Sequence, residues 1–126
     1  MQTFRLGESD LNVSRVAYGC MPLGGSWDNS PLSEETRKSA MRSVEAALDA
    51  GINFYDHADI YCRGKSEEAF SALWSAMPHL RQEIYVQSKC GIRFAGDPQP
   101  GAPHRFDFSY EPVSYTHLTL PTKRIV

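Results

Sequence analysis

Residues 51–89 read GINFYDHADIYCRGKSEEAFSALWSAMPHLRQEIYVQSK, and this stretch decides the fold. It opens on a strand-like run, INFYDHA at 52–58, rich in β-branched and aromatic residues. Ser66 then precedes two acids, Glu67 and Glu68, an arrangement that suits an N-cap with negative charge in the first helical turn. Phe70, Leu73, Trp74 and Met77 recur at i, i+3, i+4 and i+7, which predicts one apolar helix face, and Pro78 closes the helix. IYVQSK at 84–89 returns to strand composition.

The same alternation extends upstream. Ser33 with Glu34 and Glu35 predicts a second capped helix, carrying Ala40, Met41, Val44, Ala47 and Leu48 at helical spacing and stopping at Gly51. VAYGCM at 16–21 reads as a buried strand ended by Pro22, Gly24 and Gly25. Residues 3–6 and 11–15 flank the turn-like GESD and predict a small N-terminal hairpin.

After the hairpin the order is therefore βαβαβ, which calls for a parallel sheet with crossover helices. Strands begin near 16, 52 and 84, a spacing of about 36 and 32 residues, and eight such units make about 250 residues, the size of a (β/α)8 barrel. A Rossmann sheet is the competing architecture, but Gly19, Gly24 and Gly25 fit neither its glycine fingerprint nor a P-loop. The expected fold class is α/β: an N-terminal β-hairpin plus the first three βα units of a (β/α)8 TIM barrel, truncated, over residues 1–112.

Downstream the texture changes. Residues 91–112 are rich in Gly, Pro, Asp and aromatics and read as a long loop. Residues 113–126, VSYTHLTLPTKRIV, carry no acid and no helical period. VSYTHLTLPT is the translation of GTCTCTTATACACATCTGACGCTGCCGACG, which resembles a transposon-end sequencing adapter read straight through. The expectation is that 113–126 is a foreign tail behind a shortened reading frame, to be left out of fold reasoning; resequencing the locus across the junction checks it.

Thirteen Lys and Arg against fifteen Asp and Glu give a net charge of -2, and removing the tail's two basic residues leaves -4. Neither value suits a nucleic-acid binder, which shows a basic face. No apolar run approaches the roughly 18 residues of a bilayer span, and the first residues lack the apolar core of a secretory signal. Cys20, Cys62 and Cys90 are odd in number and far apart, which excludes a disulfide framework or a four-cysteine zinc site and favours a reducing, cytoplasmic setting.

In a barrel, chemistry sits at the C-terminal strand ends and the loops that follow. Asp56 lies late in the second strand, Tyr61 in the loop after it, and Lys89 at the end of the third. A phenol of pKa about 10 is a poor acid–base group at neutral pH, and a neighbouring ammonium favours its ionised form. An aspartate would hold that ammonium in place, so the three form a coherent proton-transfer unit. Spacing alone leaves the bland alternatives open: a turn-forming Asp, a packed Tyr and a solvated Lys.

The stretch GINFYDHADIYCRGKSEEAFSALW followed by IYVQSKCGIR resembles the aldo/keto reductase superfamily, with DHADIY and SKCGIR similar to a branch of bacterial oxidoreductases. Asp56, Ala58, Tyr61, Ser66, Glu67 and Lys89 match that family's motif positions, and FRLGESDLNVSRVAYGCMPLGG is similar to its opening hairpin and first strand. The resemblance implies a barrel that reduces aldehydes or ketones, small-molecule carbonyl substrates, with NADPH, NADH being the alternative. It implies Tyr61 as proton donor, Lys89 held by Asp56 as the group that tunes it, and Gly19, Cys20, Met21 and Asp56 beside the cofactor. The family's histidine, at the end of a fourth strand, has no counterpart: His104 falls too early and His117 lies in the tail. The shortened chain itself is expected to be inactive. An auxiliary, regulatory binding subunit of a membrane channel, built on the same fold, is the alternative function.

Other residues carry less. His57 alternates with Asp56 and is expected to point away from it, so a metal site of His57, Asp59 and Cys62 is not expected. Cys90 reads as a small buried thiol, and Trp27 either lines the substrate pocket or packs within its loop. Arg93, His104 and Arg105 do not amount to a nucleic-acid surface.

Overall fold

A computed structural model describes residues 1–110. The expected tail at 113–126 lies outside the described residues. β1 (Thr3–Arg5) and β2 (Asn12–Ser14) form the antiparallel N-terminal hairpin, with Phe4 opposite Val13. Leu11 and Val13 are buried. Asn53 ties the hairpin to the sheet: its Oδ1 accepts from the Ser14 backbone N–H at 2.7 Å, and its own N–H donates to Ser14 Oγ at 3.1 Å. Because Asn53 immediately precedes the second parallel strand, the hairpin covers the N-terminal ends of the sheet and leaves the opposite end free.

That sheet is parallel, in the order β3 (Tyr18–Gly19), β4 (Phe54–Asp56), β5 (Tyr85–Gln87), with Gly19 opposite Asp56 and Asp56 opposite Gln87. α1 (Glu34–Asp49) and α2 (Lys65–Ala76) make the crossovers. Ser33 caps α1 as expected, its hydroxyl accepting from Thr36 N–H at 3.1 Å, and Gly51 follows in the left-handed region at φ +81°. The expected apolar faces pack together: Ala40, Val44 and Ala47 of α1 meet Phe70, Leu73 and Trp74 of α2 over Tyr55 and Val86 of the sheet. Tyr55, Phe70 and Trp74 stack ring to ring, with centroids 5.3 and 5.6 Å apart and tilted to edge-on geometry. No helix of the described residues is long and apolar enough to cross a membrane.

Three expectations are corrected. The first strand shrinks to two residues because Met21–Gly24 turns into a 3-10 helix. Ser66 does not cap α2, which starts at Lys65 with Gly64 at the cap. Its hydroxyl is committed elsewhere, donating to Met21 O at 2.9 Å and accepting from Gly24 N–H at 3.1 Å. Finally, the 91–112 loop contains a short antiparallel ribbon, β6 (Ile92–Arg93) and β7 (Arg105–Phe106). Of the three βα units expected, the described residues hold all three strands and the first two helices, and the sheet does not close into a barrel.

Candidate active site

The register of the sheet assembles the site. Gly19, Asp56 and Gln87 stand side by side at the C-terminal ends of β3, β4 and β5. Gln87 and Lys89, two apart, project to the same side. The Asp56 carboxylate gathers the rest: Oδ1 accepts from Lys89 Nζ at 2.6 Å and from Gln87 Nε2 at 3.1 Å, and Oδ2 accepts from Tyr61 Oη at 3.2 Å. Lys89 Nζ also donates to the His57 carbonyl at 2.7 Å and lies 5.0 Å from the Tyr61 ring centroid. The three sequence-expected residues are thus brought together on one carboxylate.

Burial works against the Lys89 cation, but the hydrogen bonds and charges of Asp56 and Tyr61 outweigh it and raise its pKa. Lys89 is therefore charged throughout the neutral range. The pair is nonetheless open to solvent, with 46% of the Lys89 side chain and 31% of Asp56 exposed. Such a pair contributes little to stability, but a reactant can approach it.

Tyr61 is positioned at a cost. Cys62 and Arg63, directly after it, both sit in the left-handed region at φ +50° and +58°, worth about 1 kcal/mol of strain or more each for a non-glycine residue. Contacts to the loop after β3 hold them there. Cys62 Sγ donates to Met21 O at 3.2 Å, and Arg63 Nε donates to Trp27 O at 2.7 Å. Lys65 Nζ, buried, reaches Ser26 Oγ at 2.9 Å and Asp28 Oδ1 at 3.1 Å. The approach is so close that a Cβ on Gly24 would lie 2.5 Å from Cys62 Cβ, so only glycine fits. One loop is latched onto the other around the tyrosine.

The expected cofactor-side residues line up less evenly. Gly19 and Met21 are exposed beside Asp56, and a side chain at Gly19 would meet nothing within 4 Å. This leaves open space next to the carboxylate. Cys20 is different: its thiol is fully buried in the core, where burial pushes its pKa up, and only its backbone reaches the site, N–H to Asp56 O at 2.9 Å.

His57 turns away from Asp56, as alternation requires. It is fully buried, edge-on to Phe70 at 4.6 Å, and neither ring nitrogen has a hydrogen-bond partner. Burial pulls its pKa down to about 4, so it is neutral at pH 7. No group of three His, Cys, Asp or Glu among the described residues could hold a metal ion. Trp27 is partly exposed and packs edge-on against Phe94 at 6.3 Å, and His104 lies against Phe106. Cys90 is a half-buried free thiol.

Two participants escaped the sequence reading. Gln87 could have been found, since it shares a strand face with Lys89. The second is an ion pair between Asp59 Oδ2 and Arg93 Nη1 at 3.0 Å, which joins the Tyr61 loop to the ribbon beyond Lys89. No spacing rule marks it.

The family model of the Aldo/keto reductase family matches residues 15–115. The chain belongs to the aldo/keto reductase family. It is 34% identical over 94 residues to the uncharacterized oxidoreductase YqkF of Bacillus subtilis, an alignment covering 75% of this chain and 26% of that protein. It is 29% identical over 144 aligned positions to a probable voltage-gated potassium channel subunit beta of Oryza sativa subsp. japonica, covering all of this chain and 41% of the relative. Among solved structures, the holo form of aldo-keto reductase AKR11C1 from Bacillus halodurans superposes with a TM-score of 0.71 at 29% identity, covering 99% of this chain and 38% of that one. The chain therefore spans between about a quarter and two fifths of the length of these relatives. Within this aldo/keto reductase chain, Asp56 ends the second of the three parallel strands, and Gln87, with Lys89 just beyond it, ends the third.

Proposed function

We propose that Asp56, Tyr61 and Lys89 are the proton-delivery part of a carbonyl reductase site, with Tyr61 as the general acid for an aldehyde or ketone. The observation that carries the reading is the single Asp56 carboxylate engaging both Lys89 Nζ and Tyr61 Oη. Tyr61 Oη gives its proton to the carbonyl oxygen, and the phenolate left behind faces the charged Lys89. Asp56, Gln87 and the His57 carbonyl keep that ammonium in place. At 3.2 Å the Tyr61–Asp56 bond is longer than a good O–H···O bond, so the hydroxyl can exchange it for a substrate oxygen at low cost. Bound NADPH, or NADH, supplies the hydride that completes the reduction; Gly19, Met21 and the Cys20 backbone, beside Asp56, are the described residues that would hold it.

In the whole reductase, Tyr61→Phe is expected to abolish most carbonyl-dependent NADPH oxidation while leaving cofactor binding intact; wild-type turnover by that variant would sink the proposal. We further propose that the 126-residue chain by itself reduces no carbonyl. Its three parallel strands leave both outer edges of the sheet without a described partner, an aggregation liability. NADPH-dependent reduction by the purified chain would overturn this. A second reading, a regulatory subunit of a membrane channel, is favoured by the similarity to the rice channel subunit. Absence of turnover across an aldehyde panel, with co-purification of a membrane partner, would support it instead.

A further inference from the structure

Beside the Asp56 cluster, and not part of it, a cleft of about 510 Å³ opens between the Tyr61 loop and the β6–β7 ribbon. Asp59 and Ile60, which immediately precede Tyr61 in the chain, are among its lining residues, as are three arginines, Arg63, Arg93 and Arg105. We propose that this cleft binds a small oxyanion, a carboxylate or phosphate carried by the carbonyl substrate, with Arg63 and Arg93 as its ligands. The proposal rests on the reading of Tyr61 as proton donor, because it names the class of substrate whose carbonyl would reach that residue.

The donors are available. Arg63 spends Nε on the Trp27 carbonyl and lays its guanidinium over Phe94 at 4.6 Å, which leaves both Nη groups without a hydrogen bond among the described residues. Arg93 uses Nη1 for Asp59 and the Ile92 carbonyl, so Nη2 and Nε are free of hydrogen bonds among the described residues. Two guanidinium edges therefore face one concavity, the planar fork that suits carboxylate and phosphate.

The carboxylates on the wall are accounted for individually. Asp59 is neutralised by Arg93. Asp107 is held by Arg105 Nη2 at 3.2 Å and by the backbone N–H and hydroxyl of Ser109, whose hydrogen bonds hold its pKa below the usual range. Among the described residues, Asp97 is the one acid on this wall with no cation on its carboxylate; it is exposed at the rim and opposes an anion. Arg63 is the one guanidinium there with no acidic partner among the described residues, and its charge offsets that of Asp97.

The test is a titration of the 126-residue chain, followed by NMR at the arginine Nε–Hε groups. The probes are inorganic phosphate, pyruvate and the uncharged methyl pyruvate, with sodium chloride as the ionic-strength control. Saturable shifts of Arg63 and Arg93 with phosphate and pyruvate, absent with methyl pyruvate, are expected. Arg63→Gln should weaken binding about tenfold, as loss of a charge-assisted contact does, and Asp97→Asn should tighten it. Shifts that track chloride equally, or affinity unchanged in Arg63→Gln and Asp97→Asn alike, would overturn the proposal. Because binding and not turnover is read, this outcome is independent of whether Tyr61 proves to be the acid.

Discussion

Asp56 and Asp59 lie three residues apart and each meets a cation from the segment after β5, yet the two pairs occupy opposite surroundings. The Asp56–Lys89 side chains are 31% and 46% exposed, whereas those of Asp59–Arg93 are 4% and 16% exposed. The open pair touches a tyrosine hydroxyl and faces space where a reactant fits. The closed pair joins the Tyr61 loop to the β6–β7 ribbon, and only the unspent edge of Arg93 turns to the neighbouring cleft. An exposed pair is worth little to the fold, while removing one partner of a buried pair strands a charge in a poorly solvated place. Chemistry and scaffold are thus separated by one turn of chain.

The largest expected effect breaks the open side alone. Tyr61→Phe in the whole reductase should lower kcat by roughly 10²- to 10⁴-fold, the range of general acid catalysis, with urea-unfolding stability close to wild type. A catalytic loss matched by a stability loss would mean that Tyr61 is framework too. Next comes the closed side. Asp59→Ala leaves Arg93 half-buried and without its acid and should cost about 3 kcal/mol of unfolding free energy, the lower end of the range for a buried pair, read by urea denaturation of the chain.

His57, between the two aspartates, supplies an intermediate effect. Its folded pKa of about 4 lies below the unfolded 6.5, so the unfolded chain binds more protons between those values. Its contribution to stability is complete above pH 6.5 and is lost as pH falls toward 4, by about 3 kcal/mol in all. Glu67, whose pKa burial raises, acts in the opposite sense, so the comparison must be with His57→Phe. The difference in unfolding free energy between the two proteins should change across this window and level off above pH 7. A difference independent of pH would show that His57 is not buried as described.

How much of this was readable beforehand follows from what each feature depends on. The helix starting after Ser33, the apolar faces of α1 and α2 and the three strand positions are local patterns, and all stand in the structure. Asp56, Tyr61 and Lys89 were legible because strand ends place them and a family motif marks them. The ion pair of Asp59 with Arg93 was not, since its partners are 34 positions apart, one in a loop and the other in a strand too short to show a period. The left-handed Cys62 and Arg63 were equally hidden: no glycine announces them, and contacts to residues 21–27 impose them. Ser66 followed by two acids mimics a cap, but a tertiary hydrogen bond claimed its hydroxyl. The β6–β7 ribbon, two residues a side, is too short to show alternation.

The smallest effect on the fold is expected where the open pair is neutralised without being emptied. Asp56→Asn retains an oxygen that Lys89 can donate to, removes the charge and turns the acceptor facing Tyr61 Oη into a donor. On an exposed pair this should cost no more than about 1 kcal/mol of stability, several times less than Asp59→Ala. The catalytic signature is different in kind. Since the Asp56 carboxylate is among the groups that raise the Lys89 pKa against its burial, its loss lets that pKa fall. The alkaline limb of kcat/KM in the whole reductase should then move to lower pH, with Lys89 losing its proton earlier. A limb left in place would detach Asp56 from the control of Lys89. A stability loss equal to that of Asp59→Ala would erase the contrast between the pairs, because it would show the exposed carboxylate to be as much a part of the framework as the buried one.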